Sequence, residues 1–389
     1  MTVRGHAGLT MYAYIGSYAP AGPYMVLDDP VRGELDGTYT LAVDDEAPVD
    51  ITAYVSEVSI SRGRRSRLTD VINPGVMVVT LRNETRYFDP RYSSGPFYPG
   101  IEPGRRVDLK WTDSHHIFSG IIESWDYQYD PTGRTSTATI TVVDALGQLA
   151  HSELAAHTAT SQLPGARVSA VLNRAEVAAP SNRSIDTGLT TLQGDTVTAG
   201  TNALSYLQNV ARSDLGYFFA SRWNQITFVS RSSAAQYAAN SQLLLSDQYF
   251  AQGYGDMPYH GMSATVNMEE VFGRVVVQRI GGTDQVATNS ASTTSYGWRS
   301  LTLDGLLVSL DTDCLSLATY LASRYAAPVW RIQSITLNVN AFDELSWEQY
   351  ICAVLDISNA ITVHYTILPA WGGIEQTYII EGMDRTITA

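Results

Sequence analysis

Residues 74–125 read PGVMVVTLRNETRYFDPRYSSGPFYPGIEPGRRVDLKWTDSHHIFSGIIESW, and this stretch determines the predicted fold. Residues 76–81 form an apolar, β-branched run that is too short for a helix, which is typical of a mostly buried strand. Apolar alternation resumes at 107–111 and continues in a last run that contains Gly120. A glycine inside a strand permits a bulge or a close backbone approach. The stretch is therefore predicted to form one antiparallel β unit.

The long segment between these strands combines aromatic side chains with residues that favour turns. It contains FDP at 88–90, FYPG at 97–100 and PG at 103–104. Proline and glycine favour the backbone angles of turns, so we expect a long loop that is held in place by its aromatic side chains.

Residues 48–145 as a whole are predicted to form a β-barrel or β-sandwich, because short strands separated by turn residues are typical of these folds. The strand candidates are 51–60, 76–81, 107–111, 117–129 and 137–143. Residues 1–47 carry glycine, proline and tyrosine in a broken pattern, with a possible strand at 39–43. We expect them to be an extension that docks on another surface.

From residue 146 the hydrophobic period changes, which predicts a small α+β module that ends near residue 244. Its candidate helices are 146–156, 168–177 and 201–215, followed by a hairpin of 217–220 and 226–230. Thr201 or Asn202 can cap the third helix, and Gly216 can end it in a left-handed conformation. The apolar residues that share one face of this helix are Leu204, Leu207, Val210 and Ala211.

Residues 245–389 return to strands around one further helix at about 312–326. Residues 311–313 offer its N-terminal cap and Pro328 stops it. The strand candidates are 263–266, 273–280, 332–339, 361–367 and 377–380, with a polar loop at 281–295. The predicted apolar stripe of the helix consists of Leu315, Ala318, Leu321, Ala322 and Tyr325.

Several short motifs in a fixed order give the chain a family resemblance. They are DITAYV at 50–55, TLRN at 80–83, FDP at 88–90, YPGIEPGRRV at 98–107, FSGIIESW at 118–125, GYFFASRWNQITFVSR at 216–231 and YIIEGM at 378–383. In this order they resemble the minor tail proteins, specifically the baseplate hub, of long-tailed siphovirus-type actinobacterial phages. The resemblance covers most of the chain from about residue 48.

The resemblance implies a mainly β fold class in which two tail-tube-like β-barrel or sandwich domains flank a small α+β module. The implied domains are an N-terminal extension at 1–47, a first tube-like domain at 48–145, the α+β module at 146–244 and a second tube-like domain at 245–389.

It also implies a structural virion protein rather than an enzyme. The expected assembly is a homotrimeric hub at the tail tip that continues the tail tube and lines the DNA exit channel. The expected partners are the distal tail protein, the tape-measure protein, central tip or receptor-binding proteins, and genomic DNA that passes through the lumen without specific binding. The expected location is the virion tail tip or baseplate, after synthesis in the host cytoplasm.

The composition limits the classes of function that the protein can have. With 44% hydrophobic and 16% charged residues and 23 tyrosines, the 389-residue chain is predicted to be folded and rich in β structure. Its net charge of −14 argues against a phosphate-gripping surface, because nucleic-acid binders concentrate basic residues. The net negative charge is suited to a channel through which DNA must slide freely. It is equally explained if the charge only keeps the protein soluble. No apolar run is long enough to span a membrane, so we expect a soluble, unsecreted chain.

We find no motif for a nucleophile, a cofactor or a metal. The chain has no GxSxG, HExxH, CxxC pair or Walker-type loop, so no catalytic, cofactor-binding or metal residue is predicted. His115 and His116 would face opposite sides of a strand, and Asp311 with Asp313 lacks the further ligands of a calcium loop. The two cysteines, Cys314 and Cys352, are expected to be small buried side chains.

Acidic and aromatic residues near one another leave two other functions open. They are Glu102, Asp108, Glu123 and Asp126, close in sequence to Trp111 and Trp125. Such residues can hold a glycan in a carbohydrate-binding tail adhesin, and an acid pair can cleave sugar bonds in a peptidoglycan hydrolase. We expect them instead to be strand and turn acids beside buried or interfacial tryptophans.

Overall fold

A computed structural model describes residues 2–4, 9–15, 48–65, 70–111, 115–233, 243–247, 257–338, 355–368 and 372–388. Two compact units, each discontinuous in sequence, divide the chain. The first, the sheet unit, contains Thr2–Ile60, Val76–Asp144 and Arg385–Ala389. The second, the mixed unit, contains chiefly Ser61–Gly75 and Ala145–Asp384. The predicted domain limits at 47, 145 and 244 stay a prediction.

The sheet unit is built on one nine-stranded sheet with the order β1-β25-β4-β5-β8-β7-β6-β2-β3. Its strands, numbered along the chain, are β1 (Thr2–Arg4), β2 (Leu9–Ala13), β3 (Val49–Asp50), β4 (Val55–Gly63), β5 (Asn73–Arg82), β6 (Arg106–Trp111), β7 (His115–Gln128), β8 (Thr137–Val143) and β25 (Gly382–Thr388). A 3₁₀ helix at Thr52–Tyr54 precedes β4. All five strand candidates within 48–145 are thus confirmed, although the first begins four residues later than predicted.

The central strands follow the period of two that the sequence shows. In β5, Met77, Val79 and Leu81 are buried and alternate with partly exposed residues. The register pairs Val78 with Thr141 of β8, antiparallel. Because successive side chains of a strand point to opposite faces, this alternation places one apolar face of the sheet on the core.

Gly120 allows β7 and β8 to approach closely, as the sequence predicts. A Cβ at this position would lie 2.4 Å from the carbonyl oxygen of Val143 and 2.9 Å from Cγ1 of Val142. Nearby, the β7–β8 register shifts between Ile122 and Ser124. The glycine is therefore required by packing at a position beside a bulge.

Residues 9–13, part of the expected N-terminal extension, form strand β2 of this sheet. Leu9 pairs with Trp111 and Ala13 pairs with Val107 of β6. Alternate side chains of β2 are buried. The strand proposed at 39–43 lies outside the described residues.

The mixed unit contains six small sheets among its described residues. Its strands are β9 (Glu153–Leu154), β10 (His157–Ala159), β11 (Arg183–Ile185), β12 (Asp195–Val197), β13 (Thr201–Asn202), β14 (Tyr217–Ala220), β15 (Ile226–Val229), β16 (Leu243–Ser246), β17 (Met257–Pro258), β18 (Gly261–Thr265), β19 (Arg274–Arg279), β20 (Gln285–Thr288), β21 (Ser300–Leu306), β22 (Arg331–Thr336), β23 (Ala360–Leu368) and β24 (Gly372–Ile379). Its helices are α1 (Ala145–Ala150), α2 (Pro164–Leu172), α3 (Ala203–Ser213), α4 (Ser290–Tyr296) and α5 (Asp311–Arg324). The mainly β fold class with an α+β part is confirmed. No helix in the described part is long and apolar enough to cross a membrane.

Helix α3 packs in the larger core of this unit, and its predicted apolar face is confirmed. Leu204, Leu207, Val210 and Ala211 are all buried in this core. The side chain of Asn202 caps the helix by accepting a hydrogen bond from Ser205 N–H at 3.0 Å. The left-handed residue at its end is Leu215, with φ 52°, and the prediction of Gly216 was wrong. Gly216 is needed for another reason, because a Cβ there would lie 2.6 Å from Val229 O.

Helix α5 packs in a second core, and two details of its prediction were wrong. Leu315 is exposed, and the buried face runs instead through Cys314, Leu317, Ala318, Leu321 and Ala322. The cap position is Leu310, without a side-chain hydrogen bond. Asp311 does not cap the helix, because Arg279 Nε donates to its Oδ1 at 2.6 Å. Cys314 is a free, buried thiol, and Cys352 lies outside the described residues.

Two other predictions, of a loop and of a helix, were wrong. The polar stretch 281–295 is not a loop, because β20 and α4 occupy much of it. Asn289 caps α4 by accepting from Ser292 N–H at 3.1 Å. The predicted helix at 146–156 ends at Ala150 in α1, because strand β9 follows from Glu153.

Replacement of Gly120 by alanine tests the close approach in the sheet. We expect Gly120→Ala to lower the free energy of unfolding by about 2 to 3 kcal/mol, because the new methyl group forces the backbone of β8 away. The matched control is Gly261→Ala, whose Cβ would have, among the described residues, only Thr336 Cβ within 4 Å, at 4.0 Å. Urea unfolding of both variants makes the comparison, and an equal loss in the two would contradict the packing argument.

Candidate functional site

A row of five aromatic rings in the sheet unit is the candidate functional site. This aromatic row consists of Phe97, Phe88, Trp125, Tyr127 and Tyr129. The three rings from β7 and the residue after it stand two positions apart, so they share one face. Their planes are almost parallel: Trp125 and Tyr127 are 6.3 Å apart at 4°, and Tyr127 and Tyr129 are 6.0 Å apart at 8°.

The loop between β5 and β6 supplies the buried end of the row. Phe88 stacks on Trp125 at 6.2 Å and on Phe97 at 5.1 Å. Tyr54 meets Phe88 edge-on at 5.1 Å. Such pairs contribute about 0.5 to 1.5 kcal/mol each beyond their buried area. The row therefore runs from a buried anchor to the surface, where Tyr129 is 40% exposed.

Backbone bonds to side chains hold the loop in place. Phe88 N–H donates to Oδ1 of the buried Asn83 at 3.1 Å. Trp125 Nε1–H donates to Glu102 O at 3.3 Å. A Cβ on Gly100 would lie 2.3 Å from Ile15 O, so the loop approaches the chain after β2 at a position that requires glycine. The expected loop with aromatic anchors is confirmed.

The exposed end of the row carries charge. Tyr129 O–H donates to Asp89 Oδ2 at 2.9 Å, and Arg91 N–H donates to Asp89 Oδ1 at 2.9 Å. The guanidinium of Arg86 lies 4.5 Å from the centre of the Tyr129 ring. This combination of tyrosine, tryptophan and arginine is typical of the centres of protein interfaces.

These contacts shift the pKa of two groups. Burial acts to raise the pKa of Asp89, but the hydrogen bonds from Arg91 and Tyr129 and the charge of Arg91 outweigh it and lower the pKa. Burial, followed by the charges of Tyr129 and Asp89, strongly raises the pKa of Tyr127. Asp89 is therefore ionised and the tyrosine neutral at physiological pH.

The structure separates the acids and tryptophans that the sequence places close together. Trp111 is buried in the sheet and cannot stack on a ligand, whereas Trp125 lies in the row. Asp108 is fully buried, where Arg106 Nε donates to it at 2.9 Å and Tyr14 O–H at 3.1 Å. Glu102 pairs with Arg105 at 3.4 Å on the surface. Glu123 and Asp126 are both exposed.

The sequence search missed a serine, histidine and aspartate cluster in β6 and β7. His116 Nδ1 lies 2.6 Å from Ser119 Oγ and 3.9 Å from Asp108 Oδ1. A catalytic triad needs the two different ring nitrogens for these two contacts, and all three side chains are buried. The cluster is therefore a buried polar network. His115 and His116 do not come together as ligands, and the described residues contain no group of three metal-ligating side chains.

Comparison with known proteins shows which fold the chain resembles. No protein-family model matches the chain, and no curated protein does. Two of the solved structures that match are similar to this chain over most of their length. The fold resembles that of phage tail proteins.

The first is the 43 kDa tail protein of prophage MuSo2 from Shewanella oneidensis, with a TM-score of 0.54, 14% identity, and coverage of 88% of this chain and 90% of that one. The second is the tail protein from Neisseria meningitidis, with a TM-score of 0.60, 8% identity, and coverage of 98% of this chain and 92% of that one. At such low identities the likeness shows the fold, and function needs further argument.

Removal of Trp125 tests the row as a packing unit. We expect Trp125→Ala to lower the free energy of unfolding by about 3 kcal/mol, because it removes the ring between Phe88 and Tyr127. Trp223→Ala is the control, since that ring is 41% exposed in the mixed unit, and it should cost about 1 kcal/mol or less. Urea unfolding measures both, and equal effects would show that the row does not anchor the loop.

The lowered pKa of Asp89 predicts a pH dependence. Its stabilising contribution is complete above the ordinary carboxyl pKa of about 4 and is lost as the pH falls through the lower pKa of the folded state. Asp89→Asn should therefore cost about 1 kcal/mol near pH 7 and much less near pH 2. Tyr129→Phe, which removes one of the hydrogen bonds, should give a weaker form of the same profile. A cost that stays constant with pH would contradict this account.

Proposed function

We propose that the chain is a structural protein of a phage tail, a trimeric hub at the tail tip that continues the tail tube. The observation that carries this proposal is the fold likeness to two tail proteins over 88% and 98% of the chain. The ordered motifs from DITAYV to YIIEGM support the finer assignment to long-tailed actinobacterial phages. The two solved structures come from other bacteria and bear only on the fold.

Strand edges support assembly into a ring. In the described part of the mixed unit, β24 pairs with β23 and has no partner on its other side. Side chains 373–377 of this strand are exposed. A free edge of this length invites pairing with another strand, and a closed ring of identical copies satisfies every edge.

The charge supports a DNA conduit. A lumen that passes genomic DNA without holding it must avoid the basic surface that displaces counterions from phosphates. The net charge of −14 suits such a lumen. We propose that acidic side chains line this lumen. We assign no enzymatic step to the protein.

The remaining assignments follow from the tail-tip location. The proposed partners are the distal tail protein, the tape-measure protein and central tip or receptor-binding proteins. The aromatic row, with its exposed tyrosine and its arginine, suits contact with one of these proteins. The protein is made in the host cytoplasm and functions in the virion.

The aromatic row also favours one alternative. Parallel tryptophan and tyrosine rings can stack on a glycan, which is the function of a carbohydrate-binding tail adhesin. A peptidoglycan hydrolase is less well supported, because Asp108 is buried and Glu102 is held by Arg105, which leaves two of the four candidate acids unsuited to catalysis.

The mass of the assembled protein tests the proposal. Light scattering should give three times the chain mass of 42.5 kDa, and averaged electron micrographs should show a three-fold ring with a central hole. A map with a basic bore would contradict the conduit. A monomer that binds host glycans through Trp125, and that no tail partner assembles, would establish the adhesin instead.

A further inference from the structure

A cleft of about 540 Å³ in the mixed unit gathers positive charge in an otherwise acidic protein. Four arginines line this arginine cleft: Arg64, Arg212, Arg231 and Arg324. The single carboxylate in the lining is Asp70. The arginines follow β4, lie in the last turns of α3 and α5, and follow β15, so the fold brings together four residues that are distant in sequence.

One guanidinium is buried and incompletely bonded. Arg64 Nε donates to Glu381 Oε2 at 2.8 Å, and its guanidinium lies 4.9 Å from the centre of the Tyr217 ring. The side chain is only 8% exposed, and its Nη2 is buried and has no hydrogen-bond partner among the residues that the structure describes. A buried N–H without an acceptor is costly, so an acceptor from a ligand would stabilise this group.

The other guanidinium groups are not neutralised within the described part of the chain. Arg231 and Arg324 form no ion pair there, and Arg212 makes a long contact of 3.5 Å with the backbone oxygen of Asp304. Like charges that share a cleft repel each other. Guanidinium groups bind carboxylates with two parallel hydrogen bonds. The cleft therefore has the charge and the donors to bind an anion.

The rest of the lining is apolar and partly open. Phe218 and Leu321 of the lining are buried, whereas Tyr320 is 54% exposed. Val71 is also exposed. A ligand that fills the cleft gains most when it carries an apolar group as well as negative charge.

We propose that the arginine cleft binds an acidic peptide segment of a partner protein, one that also carries an aromatic or aliphatic side chain. The volume suits a few side chains of such a segment. Nucleic acid fits less well, because its backbone requires a longer basic stripe and apolar residues make up much of the lining. The lining residues of the cleft lie outside β24, the strand whose free edge supports the ring.

Isothermal titration calorimetry of the 389-residue chain with synthetic peptides tests the proposal. Acetyl-Leu-Tyr-Asp-Asp-Glu-amide should bind, and acetyl-Leu-Tyr-Asn-Asn-Gln-amide should bind at least about tenfold more weakly. Added salt should weaken the first peptide more than the second. Inorganic phosphate and a short single-stranded oligonucleotide complete the ligand set.

Two arginine variants locate the site. Arg231→Ala and Arg324→Ala should each weaken binding of the acidic peptide about tenfold, and neither removes an ion pair within the described ranges. Arg134→Ala is the matched control, because Arg134 is exposed in the sheet unit, and it should leave the affinity unchanged. Circular dichroism melts establish that each variant is folded.

Three results would overturn the proposal. They are equal affinity for the neutral peptide, tighter binding of the oligonucleotide or of phosphate than of the acidic peptide, and an equal loss in the Arg134 control. Light scattering on the same samples reports the oligomeric state separately, so failure of the peptide site leaves the ring assembly to be judged by its own measurement.

Discussion

The packing of Phe88 between Trp125 and Phe97 is the interaction on which the sheet unit depends. This ring closes the long loop between β5 and β6 onto the face of β7. The hydrogen bond from its N–H to Asn83 ties the loop to the end of β5. The motifs TLRN, FDP and FSGIIESW meet in this contact. Their fixed order in the sequence thus has a physical basis, because each supplies one part of the same packed cluster.

The sequence predicts most of the strands because their signal is local. In β5, the alternation of Met77, Val79 and Leu81 with partly exposed residues needs no knowledge of the rest of the chain. The limits of the helices depend on single side chains, and the sequence does not show which hydrogen bond each of these side chains forms. Asp311 stands where a capping residue is expected, yet it accepts a hydrogen bond from Arg279. The polar stretch after Asn289 forms a helix because the side chain of Asn289 caps it.

The candidate sites could be predicted only in part. Trp125 stands out in the sequence, and its spacing from Tyr127 places both rings on one face. The stacking of Phe88 on Trp125 and the burial of Trp111 depend instead on the tertiary packing. The arginine cleft could not be predicted at all. Arg64 and Arg324 are separated by most of the chain, and only the tertiary fold brings them to the same surface.

The place of β25 in the nine-stranded sheet has a consequence for synthesis. This strand lies between β1 and β4 and is made after every other strand of the sheet. A nascent chain shorter than residue 382 leaves the edge of β4 open, and open edges promote aggregation. A copy that stops before residue 382 therefore lacks the strand that lies between β1 and β4, and it is more prone to aggregate than a chain that contains β25.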